Sequence, residues 1–251
     1  MALISRARNR LHRERSSHWF VSFPKCGRTW SKTIIESYLA RKLETRPFTF
    51  EGFDPWIRRG AERGIPRMSF IHPHCRDIDP EPSLAFMRKI ERRKIVFLVR
   101  DPRMVVFTYY FRLVKRMEDP LALSLSISEF VRHPEVGIDR VVAFMNLWYE
   151  NRDRFRGFQL LKLESIRAEP EKELGDCLRF IGHEPDQALL AEVISSTPDV
   201  TTRTIEDDSV EWSADDRFYM ERAMEALHPA LGYRPVPAGP PEPTKFEAEK
   251  D

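Results

Sequence analysis

The apolar residues of this chain fall into short continuous runs separated by segments with helical spacing. Each run is rich in β-branched and aromatic residues, as is typical of strands buried on both faces of a parallel sheet. The pattern predicts four strands, over residues 18–23, 67–72, 94–99 and 158–163. Because helical segments separate successive runs, we expect the strands to lie parallel in one sheet that helices cover on both faces.

The helical segments are identified by apolar residues that recur on one face. Residues 138–149 give the clearest example, with Ile138, Met145 and Trp148 on the same side. Ser83 is predicted to be the N-cap of an earlier helix, because its hydroxyl could accept a backbone N–H bond there. The predicted helices span residues 29–39, 83–93, 103–116, 138–149, 174–181 and 215–227.

Length and composition indicate one α/β domain with a polar segment at each end. The chain has 251 residues, of which 41% are hydrophobic, enough to fill one large core. Residues 1–16 are basic and are predicted to form a flexible arm. The proline-rich, charged residues 234–251 are predicted to be disordered. The domain itself is therefore expected to span residues 17–233.

Charge and cysteine content argue against several classes of protein. The 41 basic and 39 acidic residues nearly balance, which gives no general case for nucleic-acid binding. Three widely spaced cysteines argue against a disulfide framework. No apolar run is long enough for a transmembrane helix. The basic N-terminus lacks the apolar centre of a signal peptide, so we expect a cytoplasmic protein without a membrane span.

The turn between the first predicted strand and the first predicted helix is the most informative segment. It contains Lys25, Gly27 and Arg28, and the helix is predicted to begin at Thr29. The N–H groups and dipole of a helix N-terminus attract anions, and the two cationic side chains add full charges. The turn lacks the Gly-Lys-Ser/Thr ending of the Walker A motif, so it predicts an anion site of another kind. A basic turn without a ligand is the alternative.

A second candidate phosphate site follows the strand over residues 94–99. Arg100 stands at the C-terminal end of this strand, and Thr108 lies two turns into the helix that follows. An arginine fork suits a phosphate dianion, and the hydroxyl could reach the same group. The alternative is a local ion pair between Arg100 and Asp101, with Thr108 as a surface hydroxyl.

The two motifs, in this order, resemble those of sulfotransferases that use 3′-phosphoadenosine 5′-phosphosulfate (PAPS). The family's 5′-phosphosulfate loop usually reads Tyr-Pro-Lys-Ser-Gly-Thr-Thr-Trp, and residues 23–30 read Phe-Pro-Lys-Cys-Gly-Arg-Thr-Trp. The family's 3′-phosphate motif usually reads Arg-Asp-Pro-Arg-Asp-Val-Val-Val-Ser-Tyr-Tyr-Phe. Residues 100–111 read Arg-Asp-Pro-Arg-Met-Val-Val-Phe-Thr-Tyr-Tyr-Phe. Weaker similarity extends the resemblance over residues 18–185.

The resemblance implies a three-layer, P-loop NTPase-like α/β fold and a set of nucleotide-binding residues. Arg100 and Thr108 would bind the 3′-phosphate of PAPS and of its product 3′-phosphoadenosine 5′-phosphate (PAP). Many family members close this site with an Arg-x-Gly-x-x-Gly segment that this chain lacks. Either the affinity for the cofactor is low, or Arg203 or a partner subunit replaces the segment. The residues implied at the 5′ side are Lys25, Cys26, Gly27, Arg28, Thr29 and Trp30.

The resemblance also implies two catalytic residues. Lys25 would stabilise charge on the leaving phosphate. Family members often carry a general base in a Lys-Thr-His segment after the second strand, where this chain has Phe70, Ile71 and His72. His72 is therefore the predicted base, with His74 in reserve. The alternatives are that His72 only bonds a backbone carbonyl, or that both histidines bind a metal.

The expected function is transfer of a sulfuryl group from PAPS, without a metal, to a hydroxyl or amine. The resemblance leaves the acceptor open among small molecules, carbohydrates and lipids, and the oligomeric state is also open. Candidate walls of an acceptor pocket are Met117, Phe48, Phe50, Phe53 and Trp56. The alternatives are a non-catalytic nucleotide-binding protein of the same fold, a small-molecule kinase that uses ATP, and a metal-dependent hydrolase.

Overall fold

Four parallel strands form one sheet, as the apolar runs predict. The structure is a computed structural model, and it describes residues 17–49, 66, 68–200 and 212–234. The spatial order of the strands is β2-β1-β3-β4. All three neighbouring pairs are parallel. The strands are β1 (His18–Ser22), β2 (Met68–Ile71), β3 (Lys94–Val99) and β4 (Gly157–Lys162).

The register of the sheet brings the ends of three strands together. Val21 of β1 lies opposite Ile71 of β2 on one side and Phe97 of β3 on the other. The segments that leave these strands therefore start at the same edge of the sheet, where ligands bind in open α/β folds. The loop after β1, His72 after β2 and Arg100 after β3 all begin at this edge.

Helices pack in two groups around the sheet, which gives the predicted three-layer α/β architecture. One group consists of the helices over residues 28–42, 170–180 and 187–196. The other group packs around the helix over residues 102–117, which follows β3. In chain order the helices are α1 (Arg28–Lys42), α2 (Glu81–Ile90), α3 (Pro102–Met117), α4 (Pro120–Leu123), α5 (Ile127–Arg132), α6 (Ile138–Glu150), α7 (Leu163–Ala168), α8 (Pro170–Phe180), α9 (Gln187–Ser196) and α10 (Ala214–Glu225).

Most predicted elements agree with the structure to within a few residues, but the predicted N-cap of α2 is wrong. The helix begins at Glu81, and Ser83 is buried within its first turn. Pro80 occupies the cap position, and the Asp79 carboxylate accepts the Glu81 N–H at 2.9 Å. Pro82 lies in the first turn, a position that suits proline because the N–H that it lacks would have no partner there.

Four helices were not predicted from the sequence, namely α4, α5, α7 and α9. The clearest missed signal is that of α9, where Asp186 caps the helix by accepting the Leu189 N–H at 3.0 Å. Buried Leu190 and Val193 have helical spacing behind this cap. The helix α7 directly follows β4 without a loop, so strand and helix share one apolar run.

A cluster of aromatic rings anchors the first loop to the core. Phe23 is buried directly after β1, and its ring contacts those of Tyr109 on α3 and Phe144 on α6, with both centroids 5.5 Å away. Such edge-to-face pairs stabilise a fixed ring geometry. The loop that follows Phe23 is thereby held against α3. Over the described residues, no helix combines the length and apolar character needed to cross a bilayer.

Candidate functional site

The loop between β1 and α1 adopts a backbone that suits an anion. Lys25 has φ 73° and Gly27 has φ 91°, so both residues lie in the left-handed region. Left-handed residues that alternate with residues of ordinary backbone conformation turn successive N–H groups toward one side of the chain. A Cβ at Gly27 would lie 2.5 Å from Leu163 Cδ1, so glycine is required for close approach as well as for φ. The helix α1 begins at the next residue.

Arg100 links this loop to the second motif. Its Nη1 donates to the Lys25 carbonyl oxygen at 3.2 Å and lies 3.5 Å from Thr108 Oγ1. Thr108 Oγ1 in turn donates to the Met104 carbonyl at 2.7 Å, which fixes the hydroxyl. The two predicted phosphate motifs are therefore in direct contact across the edge of the sheet.

The guanidinium of Arg100 has hydrogen-bonding capacity that its surroundings leave unused. The side chain is only 1% exposed, and within the described parts of the chain Nη2 is buried without a hydrogen-bond partner. Burial lowers the pKa of Arg100, and nearby Arg167 lowers it further. A buried donor without a partner costs free energy, and an anionic ligand would remove this cost. The arrangement fits a phosphate.

The alternative of a local ion pair between Arg100 and Asp101 is wrong. The Asp101 carboxylate instead pairs with Arg103, with Oδ2 at 2.6 Å from Nη2. Asp101 also caps α3 by accepting the Arg103 N–H at 2.9 Å. Arg103 Nη1 contacts Glu221 on α10 at 2.7 Å. Asp101 thus stabilises the start of α3 and leaves Arg100 directed toward the first loop.

A cleft of about 560 Å³ opens at this edge of the sheet. Six of the residues that the sequence predicts to bind ligand or take part in catalysis line this cleft. A pocket of this volume suits a nucleotide-sized ligand. Met117, one of the candidate acceptor-wall residues, also lines the cleft. The six nominated residues are Lys25, Gly27, Arg28, Thr29, His72 and Arg100.

Three other nominated residues lie behind the cleft wall. Cys26 is fully buried, and burial raises the pKa of its thiol to about 12, so the side chain is a neutral part of the core. Trp30 donates its indole N–H to the Thr197 carbonyl at 3.3 Å. Thr108 is buried against Arg100. Arg203 lies outside the described residues.

Of the other candidate acceptor-wall residues, the structure describes only Phe48. Phe48 is buried in the core and does not line the cleft. Phe50, Phe53 and Trp56 lie outside the described residues. The predicted arm over residues 1–16 also lies outside them, as do residues 235–251 of the predicted tail.

Lys25 is a half-buried cation among other cations. Burial is the main reason that its pKa falls from 10.5 to about 8, and the charges of Arg112 and Arg116 lower it further. The ammonium group is therefore still protonated at neutral pH, but at a cost in free energy. An anion bound in the cleft would remove this cost.

His72 is oriented by the strand next to its own. Its Nδ1 lies 2.8 Å from the Ser22 carbonyl oxygen and 3.2 Å from Ser22 Oγ. Because a carbonyl can only accept, Nδ1 carries a proton, and in the neutral imidazole Nε2 then carries the lone pair. His74 has a different environment: its Nδ1 contacts Asp77 Oδ2 at 2.6 Å, and it does not line the cleft.

Sequence reasoning missed several residues of the cleft. Arg76 lines it after β2, where Nε donates to the Tyr109 hydroxyl at 3.0 Å and Nη2 contacts Asp119 Oδ2 at 3.1 Å. Arg112 and Arg116 line it from α3. Their spacing after Thr108 is a signal that could have found them, because residues four apart share one helix face.

The metal alternative has no matching ligand set in the described part of the chain. No group of three histidine, cysteine or carboxylate side chains there is arranged to hold a metal ion. His74 and Asp77 form a pair on the surface, and His72 bonds Ser22 instead.

The fold and the cleft together define an α/β protein with a cationic cleft at the C-terminal ends of its parallel strands. Comparison with protein families assigns it more closely: residues 15–198 match the sulfotransferase domain. The chain belongs to this family, which confirms the resemblance seen in the sequence. The match spans both phosphate motifs and His72.

One of the similar solved structures supports the same fold. A sulfotransferase from Alicyclobacillus acidocaldarius matches with a TM-score of 0.52 at 16% identity, covering 88% of this chain and 97% of that protein. Mouse sulfotransferase SULT7A1 complexed with PAP gives a TM-score of 0.45 at 16% identity, covering 78% of this chain and 68% of that one. No curated protein sequence matches this chain.

Proposed function

We propose that this protein transfers a sulfuryl group from PAPS to a hydroxyl, or an amine, of an acceptor. The observation that carries the proposal is the buried Arg100 guanidinium, whose Nη2 lacks a partner among the described residues. Its Nη1 contacts the Lys25 carbonyl, so the Arg100 and Lys25 cations adjoin and could each hold one phosphate. PAP and PAPS carry phosphates on both the 3′ and the 5′ positions of the ribose, whereas ATP carries phosphates only at the 5′ position.

The residues of the cleft fit such a nucleotide. Arg100 would hold the 3′-phosphate, with Thr108 fixing the guanidinium. The backbone of the loop from Lys25 to Gly27, followed by the N-terminus of α1, would hold the 5′ side. When bound, PAPS supplies a sulfuryl group: a bond from sulfur to the acceptor oxygen forms, and the bond to the phosphate oxygen breaks.

Lys25 serves the phosphate oxygen that gains charge in this reaction. The lysine is protonated at neutral pH even though its pKa is lowered to about 8. Its charge is least well solvated when the cleft lacks an anion, so the interaction strengthens as negative charge grows. A preorganised donor of this kind typically contributes about 100- to 1000-fold in rate.

His72 is the proposed general base. The Ser22 carbonyl accepts the proton of Nδ1, so in the neutral imidazole the lone pair lies at Nε2, the atom that would take the proton of the acceptor hydroxyl. His74 cannot substitute from its described position, because it pairs with Asp77 outside the cleft lining. We further propose a cytoplasmic location, which is consistent with three cysteines that are all free.

Thermal unfolding in the presence of nucleotides tests this function. At 100-fold above its dissociation constant, PAP should stabilise the fold by about 2.7 kcal/mol, or roughly 5–11 °C in a domain of this size. ATP and ADP should do so much less. Equal shifts with ATP would favour a kinase. A PAP shift without any PAP released from PAPS, across a hydroxyl and amine library, would favour a non-catalytic nucleotide-binding protein.

A further inference from the structure

The described lining of the cleft has cations beyond Lys25 and Arg100, the two side chains proposed to serve the nucleotide phosphates. Arg112 and Arg116 lie one and two turns beyond Thr108 on α3, and both line the cleft. Each turn advances about 5.4 Å along a helix axis. The two guanidinium groups therefore continue a row of cations that starts at Arg100 and extends away from the proposed 3′-phosphate position.

The one carboxylate among the described lining residues does not neutralise this row. Asp119 contacts Arg76 at 3.1 Å. It also caps α4 by accepting the N–H groups of Leu121 and Ala122 at 3.2 and 3.3 Å. Its oxygens are thus already engaged by another arginine and by backbone donors.

Arg112 and Arg116 themselves make no ion pair with any described residue. Both side chains are exposed to the cleft, and together they lower the pKa of Lys25. Two neighbouring arginines that repel each other and a lysine are unfavourable in the absence of an anion. The fork of a guanidinium matches carboxylate, sulfate and phosphate oxygens in particular.

We propose that the acceptor carries an anionic group next to its reacting hydroxyl, and that Arg112 and Arg116 bind this group. The inference rests on the proposed function, since it assigns the substrate class of the same cleft. The recognised chemistry is an oxyanion, as a carboxylate or as a sulfate or phosphate ester. Met117, which is 55% exposed at the cleft, offers apolar contact to the body of the acceptor.

A double variant, Arg112→Gln with Arg116→Gln, tests the proposal by binding. The probe is inorganic sulfate, titrated into PAP-saturated protein at constant ionic strength with chloride as the reference. The variant should bind sulfate at least about tenfold more weakly than the parent, because charge-assisted contacts are lost. Its affinity for PAP should change by less than about threefold. The matched control is Arg92→Gln with Arg217→Gln, two exposed arginines outside the cleft.

Matched acceptors provide the second arm, with PAP release from PAPS as the readout. One pair is 4-hydroxyphenylacetate and its neutral amide. In the other pairs, neutral glucose is compared with glucuronate, with glucose 6-sulfate and with glucose 6-phosphate. The anionic member of each reacting pair should be favoured, and the double variant should raise its KM at least about tenfold. The three glucose derivatives distinguish a carboxylate from a sulfate or phosphate ester. If no compound reacts, the sulfate titration decides.

Several results would overturn the inference. One is equal sulfate binding by the parent and the double variant, and another is a neutral acceptor that reacts better than its anionic partner. A large loss of PAP affinity in the double variant would assign the arginines to the nucleotide. Sulfate binding lost only in Lys25→Gln would assign the anion to the transfer position. Failure of the parent to bind PAP, with arginine-dependent sulfate binding kept, would instead refute the proposed function.

Discussion

Replacing Arg100 by methionine should separate the stability of the protein from its affinity for PAP. The guanidinium is buried, and its Nη1 donates to the Lys25 carbonyl at 3.2 Å and, at 3.5 Å, to Thr108 Oγ1. Methionine of similar length removes both these bonds and the burial of a charge. Because these two effects oppose each other, we expect the free energy of unfolding without ligand to change by about 1 kcal/mol or less.

The affinity for PAP should fall much more. Two charge-assisted contacts to the 3′-phosphate, at about 1.5 kcal/mol or more each, correspond to about 100-fold or more. At a PAP concentration 100-fold above the parent dissociation constant, the parent gains about 2.7 kcal/mol and the variant about 0.4 kcal/mol. In thermal unfolding, a shift of roughly 5–11 °C should therefore shrink to about 1–2 °C.

Adenosine 5′-phosphosulfate, which lacks the 3′-phosphate, is the matched ligand, and Arg140→Met is the matched protein. Arg140 is also a buried arginine that donates to a backbone carbonyl, that of Cys75 at 2.9 Å, but it does not line the cleft. Its variant should keep the full PAP shift. Equal weakening of both nucleotides by Arg100→Met would refute the 3′-phosphate assignment. Collapse of the unliganded variant would refute the balance of opposing effects.

The remaining predictions concern Lys25, His72 and Gly27. Since the pKa of Lys25 is about 8, PAP affinity should fall as the pH rises through 8 and the lysine loses its proton; Lys25→Gln should flatten this dependence in calorimetric titrations. His72→Ala should slow turnover about 100- to 10,000-fold with PAP affinity retained, and the same loss in His74→Ala instead would move the base. Gly27→Ala should cost about 2–4 kcal/mol in urea unfolding, because of its φ of 91° and the contact with Leu163. In a double-mutant cycle, Leu163→Ala should offset part of the cost of Gly27→Ala, because it removes the side chain that the new Cβ would meet. If the free-energy changes of the two single variants simply add up in the double variant, this clash is refuted.

The sequence by itself determined the fold class and the position of both candidate phosphate motifs. Continuous apolar runs such as residues 94–99 can only be buried on two faces, so they specified parallel strands between helices. The residues of each motif are contiguous and follow a strand directly. Their place at the C-terminal edge of the sheet therefore follows from the order of elements alone.

Contacts between distant segments were decided only by the tertiary structure. Arg100 and the Lys25 carbonyl are 75 residues apart, and His72 and Ser22 are 50 apart. No local pattern reports which atoms meet over such separations. The same holds for the surroundings of the two histidines, since only the tertiary structure shows that His72 lines the cleft and His74 does not.

The positively charged residues of the cleft show the same division between what the sequence reveals and what only the tertiary structure decides. The spacing of Arg112 and Arg116 on one helix face could be read from the sequence, but the identity of their neighbours could not. The fold places Lys25 beside them, and it gives the carboxylate of Asp119 to Arg76. Electrostatic character depends on the distances between charges in space, and packing sets these distances for residues that are far apart in the chain.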